Sequence, residues 1–586
     1  MNNYIKLSLM SLFFLLILYT PDITNAATYY ISPTGNDSNN GISQVTPLAT
    51  FNKAWEILQP GDTIYLMDGT YYQVIEPTIN GISGSPITIK ALNDGKAIIN
   101  GEFQRHTVVI GRSWDFISNP TNSTPNPYGN YFQVEGLIAK NSIADVYEIY
   151  ARNVSLKRCS GYNANPHDNF HVITVWAKGS PTSPANILIE DCVVAGSGRK
   201  MIIDYDTYVN VVFRRNFAAW QWWLGDQFCQ GYWPQSQGIE NYPAAYQDQP
   251  IVTLNDLREN NITFGLAPDG PSSFSPNPGL RIGNKMLGEI TLGGGMKWDN
   301  IEKKFITPYF NPDSCQYNGT DANHTKPAIC GTDSRCISTG SELGIGVDYA
   351  IFGTPSLRNN LIQDLFSAYN GDMGFTAGPW GNNYGTTSNN QLIRATFVQN
   401  GLASYSPHKN IDVFSSSLTP FNVVQNLQIG NMSDTNPAPG TGAQLQYRYI
   451  DGVLTDEPLW PWPMEERIKS EFADPTLFQA NGVQGQVWTN FSVTNTVYPI
   501  LSQYGAVSTT LPSPFASSLP SPSMTPFPSP NPADINGSGG VDFNDLKLVL
   551  SNWLGLSTCA TFVCDLNSDS KINAWDASLV IANWGK

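Results

Sequence analysis

Three segments of the chain share one template: Asn153-Val-Ser-Leu-Lys-Arg-Cys159, Asn186-Ile-Leu-Ile-Glu-Asp-Cys192 and Asn210-Val-Val-Phe-Arg-Arg-Asn216. Their starts lie 33 and 24 residues apart. The second position is Val154, Ile187 or Val211 and the fourth is Leu156, Ile189 or Phe213, the period-two pattern of a strand with one buried face. Unequal spacing means that the strands recur while the loops between them vary. Shorter pieces, Asn261-Ile-Thr-Phe264, Leu361-Ile-Gln-Asp364 and Leu392-Ile-Arg-Ala395, extend the series. Short strands at coil-length intervals predict a mainly β chain wound as a parallel β-helix, with equivalent residues about 4.8 Å apart. A β-sandwich is the rival arrangement.

In the helix, Cys159, Cys192 and Asn216 form one column, which reads as stacked buried thiols ending in an amide rather than as a disulfide. The two positions before it alternate in sign. Lys157, Glu190 and Arg214 share one column, and Arg158, Asp191 and Arg215 share the next. Neighbouring coils would neutralise such charges as side-chain ladders, so these residues read as structural. The chain carries few charges (14%) and a formal net charge of -16. That balance argues against nucleic acid or an anionic membrane as the main partner, but leaves an anionic sugar open through a local basic patch.

The start of the large domain bears on the fold as well. Tyr29-Tyr-Ile-Ser-Pro-Thr-Gly-Asn-Asp37 is followed by Thr50-Phe-Asn-Lys-Ala-Trp-Glu-Ile-Leu58, then by Pro60-Gly-Asp-Thr-Ile-Tyr-Leu-Met-Asp-Gly-Thr-Tyr71 and Pro86-Ile-Thr-Ile-Lys90. This succession resembles the opening of right-handed parallel β-helix proteins of the pectate-lyase-like and alginate/chondroitin-lyase-like families. The resemblance implies an amphipathic capping helix, a Pro-Gly-Asp turn and the first coil. It extends to the scaffold alone. The Asp-Asp pair and Gly-His-Gly motif of pectin-hydrolysing β-helices are absent, as is the calcium motif of the alginate/chondroitin lyases, so no catalytic residue is carried over. Residues 440–505, with Leu459-Trp-Pro-Trp-Pro-Met464 and a helical pattern from Glu465 to Phe472, are expected on the flank or end of the β-helix.

Two terminal segments frame this domain. Lys6, the apolar run Leu7–Tyr19 and Thr24-Asn25-Ala26 read as a signal peptide over 1–26, with the mature β-helix domain over 27–507 and no later membrane span. Secretion, extracellular or to the cell surface, follows. Cys229, Cys315, Cys330 and Cys336 would then serve as loop staples, and Cys559 and Cys564 would close a short loop. Residues 508–532 hold eight prolines among Ser and Thr, which makes a semi-rigid extended spacer.

Behind the spacer, Asp534–Asp545 and Asp565–Asp576 align without gaps, and each runs into a helical pattern ending in Asn-Trp, at Trp553 and Trp584. A calcium loop of about twelve residues supplies oxygens from positions 1, 3, 5, 7, 9 and 12. Here these are Asp534, Asn536, Ser538, the Gly540 carbonyl, Asp542 and Asp545, then Asp565, Asn567, Asp569, the Lys571 carbonyl, Asn573 and Asp576. Tandem half EF-hands of this kind over 533–586 resemble dockerin modules. The resemblance implies two bound Ca²⁺ ions and a cohesin-type partner or surface scaffold. Ser538 departs from the usual acidic ligand and Ser570 from the usual turn glycine.

Chemistry is expected just ahead of the template strands. Asp168-Asn-Phe-His171-Val-Ile-Thr precedes one, and Arg199-Lys200-Met-Ile-Ile-Asp204-Tyr-Asp206 the next. Stacking would set His171 beside Lys200 or Arg199 on an exposed face, with Asp204 and Asp206 pointing the same way. β-Elimination of a uronic-acid polysaccharide needs a cation or Ca²⁺ at the carboxylate, a base for the C5 proton and an acid for the leaving oxygen. Arg199 or Lys200 could neutralise, Lys200 or His171 could act as base, and Tyr205 or Tyr162 could donate. Hydrolysis instead needs carboxylates roughly 5–10 Å apart, for which Asp204, Asp206 and Asp168 are the candidates. Trp220, Trp222, Trp223 and Trp233 crowd one insertion, either as a platform for sugar rings or as packing. The competing readings are a solvated loop with one structural histidine, and a glycan-binding or adhesive protein without catalysis.

Overall fold

A computed structural model describes residues 26–511 apart from 112–127, 166–169, 178–183, 199, 205–209, 220–236, 242–255, 266–280, 283–284, 295, 307–344, 350–356, 359, 371–374, 380–386, 401–420, 431–441 and 481–482. The chain separates into two compact units, Met1–Ser513 and Pro514–Lys586. The first is a parallel β-helix, not a sandwich.

The template strands stack as the pattern requires. Val154–Lys157 pairs in parallel with Ile187–Glu190, with Val154 opposite Ile187, and that strand pairs with Val211–Arg214, with Ile187 opposite Val211. Each coil then turns a corner into a second strand: Ser160–Tyr162, Val193–Ala195 and Phe217–Ala219 stack in turn. A third face is a five-stranded parallel sheet of Val108–Ile110, Tyr147–Ile149, His171–Val175, Lys200–Asp204 and Gln237–Asn241. Parallel crossovers of this kind wind right-handed, because twisted strands pack back onto their sheet only in that sense.

Left-handed residues make the corners. Arg158, Asp191 and Arg215 sit at φ 52°, 53° and 50° between the first and second strands of their coils. Asn153, Asn186 and Asn210 sit at φ 57°, 54° and 48°, which explains why Asn leads each template: it tolerates this conformation better than most side chains. Their amides also bond coil to coil, Asn210 to Asn186 at 3.2 Å and Asn186 to Asn153 at 3.0 Å.

The charge columns pair across coils with one departure. Lys157 meets Glu190 at 3.2 Å, Arg214 meets Glu190 at 3.4 Å, and Arg215 holds Asp191 at 2.7 Å. Arg158 was expected to pair with Asp191; it reaches Asp94 instead, at 2.6 Å. Gly136 (φ 76°) lies beside this contact, and a Cβ there would come within 2.8 Å of Asp94 Oδ1. The Cys159 and Cys192 thiols are free and buried, and the column continues into amides. Cys192 N donates to Asn216 Oδ1 and Asn216 Nδ2 to Asn261 Oδ1; Asn261 Nδ2 then donates to Glu289.

Two apolar cores result. One fills the coil interior, where the helix Phe51–Ile57, N-capped by Thr50, buries Phe51, Ala54 and Trp55 over the first coils. The other lies outside the second-strand face, where Ile138, Tyr162, Val193, Phe217, Ile262 and Phe264 would face water if left bare. Residues from Ala443 to Val507 cover them with Trp460, Trp462, Phe472, Trp488 and Phe491. The flank expected from the sequence is therefore a lid on an otherwise exposed apolar sheet. Arg467 of the helix Glu465–Phe472 fastens it. Its guanidinium bonds Glu471, Asp94, Ser160 Oγ and the carbonyls of Arg158 and Leu137, at 2.6–3.1 Å.

Candidate active site

The five-stranded sheet carries the described part of the predicted site. His171 opens one strand in register with Lys200 on the next, and Val175 stands opposite Asp204. The stacking is as expected, but the exposure is not: His171, Lys200 and Asp204 are 1%, 5% and 0% accessible. All three are buried rather than on an exposed face. Asp204 takes the register position held by Ile149 and Val175 on the two preceding strands, both of them core residues.

Tyr162 is also displaced from its expected role. It belongs to the second-strand face, is fully buried, and its hydroxyl donates to Glu471 at 2.6 Å under the C-terminal lid. Asp168, Arg199, Tyr205, Asp206, Trp220, Trp222, Trp223 and Trp233 lie outside the described residues, as do the calcium-loop positions from Asp534 to Asp576.

The same sheet gathers groups that the sequence did not single out. Asp145, just ahead of the strand Tyr147–Ile149, accepts the His171 backbone N–H at 2.6 Å, and the Thr174 and Trp176 side chains lie beside it. Burial, and after it the nearby Glu148 carboxylate, push the Asp145 carboxyl up to about 8. Glu148 is itself buried and bonded on both oxygens. His106 Nδ1 meets Oε1, and the Tyr150 hydroxyl donates to Oε2 at 3.1 Å. Tyr150 and Trp176 follow neighbouring strands and run parallel, with ring centroids 6.4 Å apart and planes 6° apart. Glu148 and Thr174 are register partners.

One histidine, two carboxyls, a phenol and an indole thus form one cluster over three neighbouring strands. Such a cluster can hold and pass protons beside aromatic surface that suits a sugar ring. The one local trace in the sequence is the alternation Glu148-Ile-Tyr150. His106 lies 42 residues from Glu148, a distance that only the coil closes. Among the described residues no three His, Cys, Asp or Glu side chains are arranged to hold a metal.

Residues 532–583 match the family model of the dockerin type I domain. A part of 92 residues, 14% of the chain, is 35% identical to pectate lyase L of Dickeya dadantii, of which it covers 21%. The chain therefore spans about a fifth of that relative's length. Among solved structures, a pectate lyase aligns at 13% identity and TM-score 0.30, over 62% of this chain and 79% of that one. A family PL6 alginate lyase aligns at 12% identity and TM-score 0.34, over 75% and 56%. The chain is a parallel β-helix that carries a C-terminal dockerin type I domain.

Proposed function

We propose that the protein is an exported, carbohydrate-active enzyme that cleaves a uronic-acid polysaccharide by β-elimination. In this reading the dockerin domain docks the enzyme on a cohesin-type module of a scaffold or cell surface. The observation that carries it is the five-stranded sheet, where the His106, Glu148 and Tyr150 side chains are bonded into one cluster with Asp145 beside it. The reaction requires a cation, a base and an acid, and this sheet is where we assign the base and the acid. Arg199, next to Lys200 in sequence, is the cation we assign to the sugar carboxylate, because Lys200 itself is only 5% accessible. The local likeness to a pectate lyase and the presence of a dockerin domain both agree with a polysaccharide substrate.

Calcium belongs to the dockerin. Its carboxylate, amide and carbonyl donors, repeated at loop positions 1, 3, 5, 7, 9 and 12, are the hard oxygens that this ion selects. Asp534, Asn536, Ser538, Gly540, Asp542 and Asp545 would hold one ion, and Asp565, Asn567, Asp569, Lys571, Asn573 and Asp576 the other. Bound calcium would neutralise the clustered carboxylates and fix the loops.

Hydrolysis is the second reading, favoured by the paired Asp145 and Glu148 carboxyls. The two are separated by incubating the full chain with polygalacturonate and alginate and measuring ultraviolet absorbance of unsaturated uronates alongside reducing ends. Elimination yields both signals, and Arg199→Ala should lower both at least tenfold. Reducing ends without absorbance would replace lyase by hydrolase. Binding with neither signal would leave a glycan-binding protein.

A further inference from the structure

We propose that the proton transfer at this sheet is performed by His106 and Tyr150, held by Glu148 between them, rather than by His171. The inference rests on the lyase reading and assigns its base and acid.

The geometry is specific. A carboxylate that accepts at Nδ1 fixes the imidazole in the Nδ1–H tautomer and leaves Nε2 as the nitrogen with the lone pair. Glu148 is 3% accessible in its side chain and His106 21%, so the positioning group is buried and the ring it positions reaches the surface. The other Glu148 oxygen accepts from the Tyr150 hydroxyl, which orients a phenol just past the end of the same strand. Trp176 lies parallel to Tyr150 one coil on and extends the aromatic surface along the helix axis. His171 differs in two respects: it is 1% accessible, and its backbone N–H is committed to Asp145.

The step balances. His106 Nε2 takes the C5 proton, and the C–H electron pair becomes the C4–C5 double bond. The C4–O bond breaks with its electrons on oxygen, and Tyr150 delivers its hydroxyl proton there. The imidazolium then loses a proton to water and the phenolate regains one. Asp145 touches neither sugar nor leaving oxygen. It is a positioning residue, tying the strand of His171 to the strand of Glu148. Among the described residues, the groups around the pair include Glu148 on the strand Tyr147–Ile149, Asp145 ahead of it, and Thr174 and Trp176 from the neighbouring coil.

The test compares the full chain with His106→Gln, Tyr150→Phe, Glu148→Gln and His171→Gln on polygalacturonate and alginate, with thermal melts as a check on folding. Expected are at least hundredfold losses of kcat in His106→Gln and Tyr150→Phe at unchanged KM, and partial rescue of His106→Gly by added imidazole. Rescue by imidazole is a readout that a purely structural role would not produce. His171→Gln should keep kcat within about tenfold. Tyr150→Phe removes one hydroxyl and stays informative if the histidine variants unfold. An active wild type with full activity in Tyr150→Phe, or with loss confined to His171→Gln, overturns the assignment but not the lyase reading. A wild type that releases no unsaturated product overturns both.

Discussion

The Asp145 carboxyl sits almost without water contact beside a second carboxylate, so its proton is held far more tightly in the folded chain than in the unfolded one. The sign of the consequence follows from linkage. Between the ordinary carboxylate range and about pH 8 the folded state binds more protons than the unfolded state, so this residue lowers stability as pH rises through that window. Asp145→Asn keeps an acceptor for His171 N–H and removes the titration. The melting temperature of Asp145→Asn relative to wild type should therefore climb between pH 4 and pH 8, read from melts at matched ionic strength; a flat difference would reject the assignment. Buried amides one face away obey the same rule of satisfaction. Asn216 and Asn261 each bond both a neighbouring side chain and a backbone carbonyl, so the column extends without a stranded polar group.

The decisive contact at the level of elements is between the helix Glu465–Phe472 and the second-strand face. Arg467 and Glu471 are buried together, and Glu471 also accepts from Ser160 and Tyr162. Removing one partner of a buried pair leaves the other charged and unsolvated, at a cost of about 3–5 kcal/mol. Arg467→Ala should destabilise the first unit by that amount in urea unfolding. Amide exchange should quicken first in 443–507, because the apolar contacts of that segment depend on its seating. Equal protection of the lid in variant and wild type would show that Arg467 is dispensable. The β-helix strands have a different origin of stability: each is bonded on both sides by its neighbours, so the coils support one another along the axis.

For the whole molecule, the dockerin domain predicts a metal response confined to one unit. Chelation should remove helicity and protease resistance from residues 533–586 and leave the melting of the β-helix unchanged, since the metal-binding free energy is folding free energy only where the site is made. Calcium titration should show a weaker first loop, where Ser538 stands at the position that Asp569 fills in the second; Ser538→Asp should bring the two steps together. Identical steps in the wild type would contradict this.

The coil was legible because it is a local pattern. Alternating apolar residues and a leading Asn that accepts a left-handed backbone are written within seven consecutive residues, and the charge columns follow from repeats of that template. The dockerin was legible for the same reason, as each of its two repeated segments, Asp534–Asp545 and Asp565–Asp576, is continuous in sequence. What the sequence could not convey was which polar groups share a face across coils, since loop lengths are free to vary without disturbing the strands. That freedom hid the link between His106 and Glu148, buried His171 and Lys200 instead of leaving them exposed, and paired Arg158 with Asp94. Residues close in sequence determined the scaffold; the proton-bearing cluster was decided by the tertiary winding, which alone brings residues separated by a coil or more within a hydrogen bond of one another.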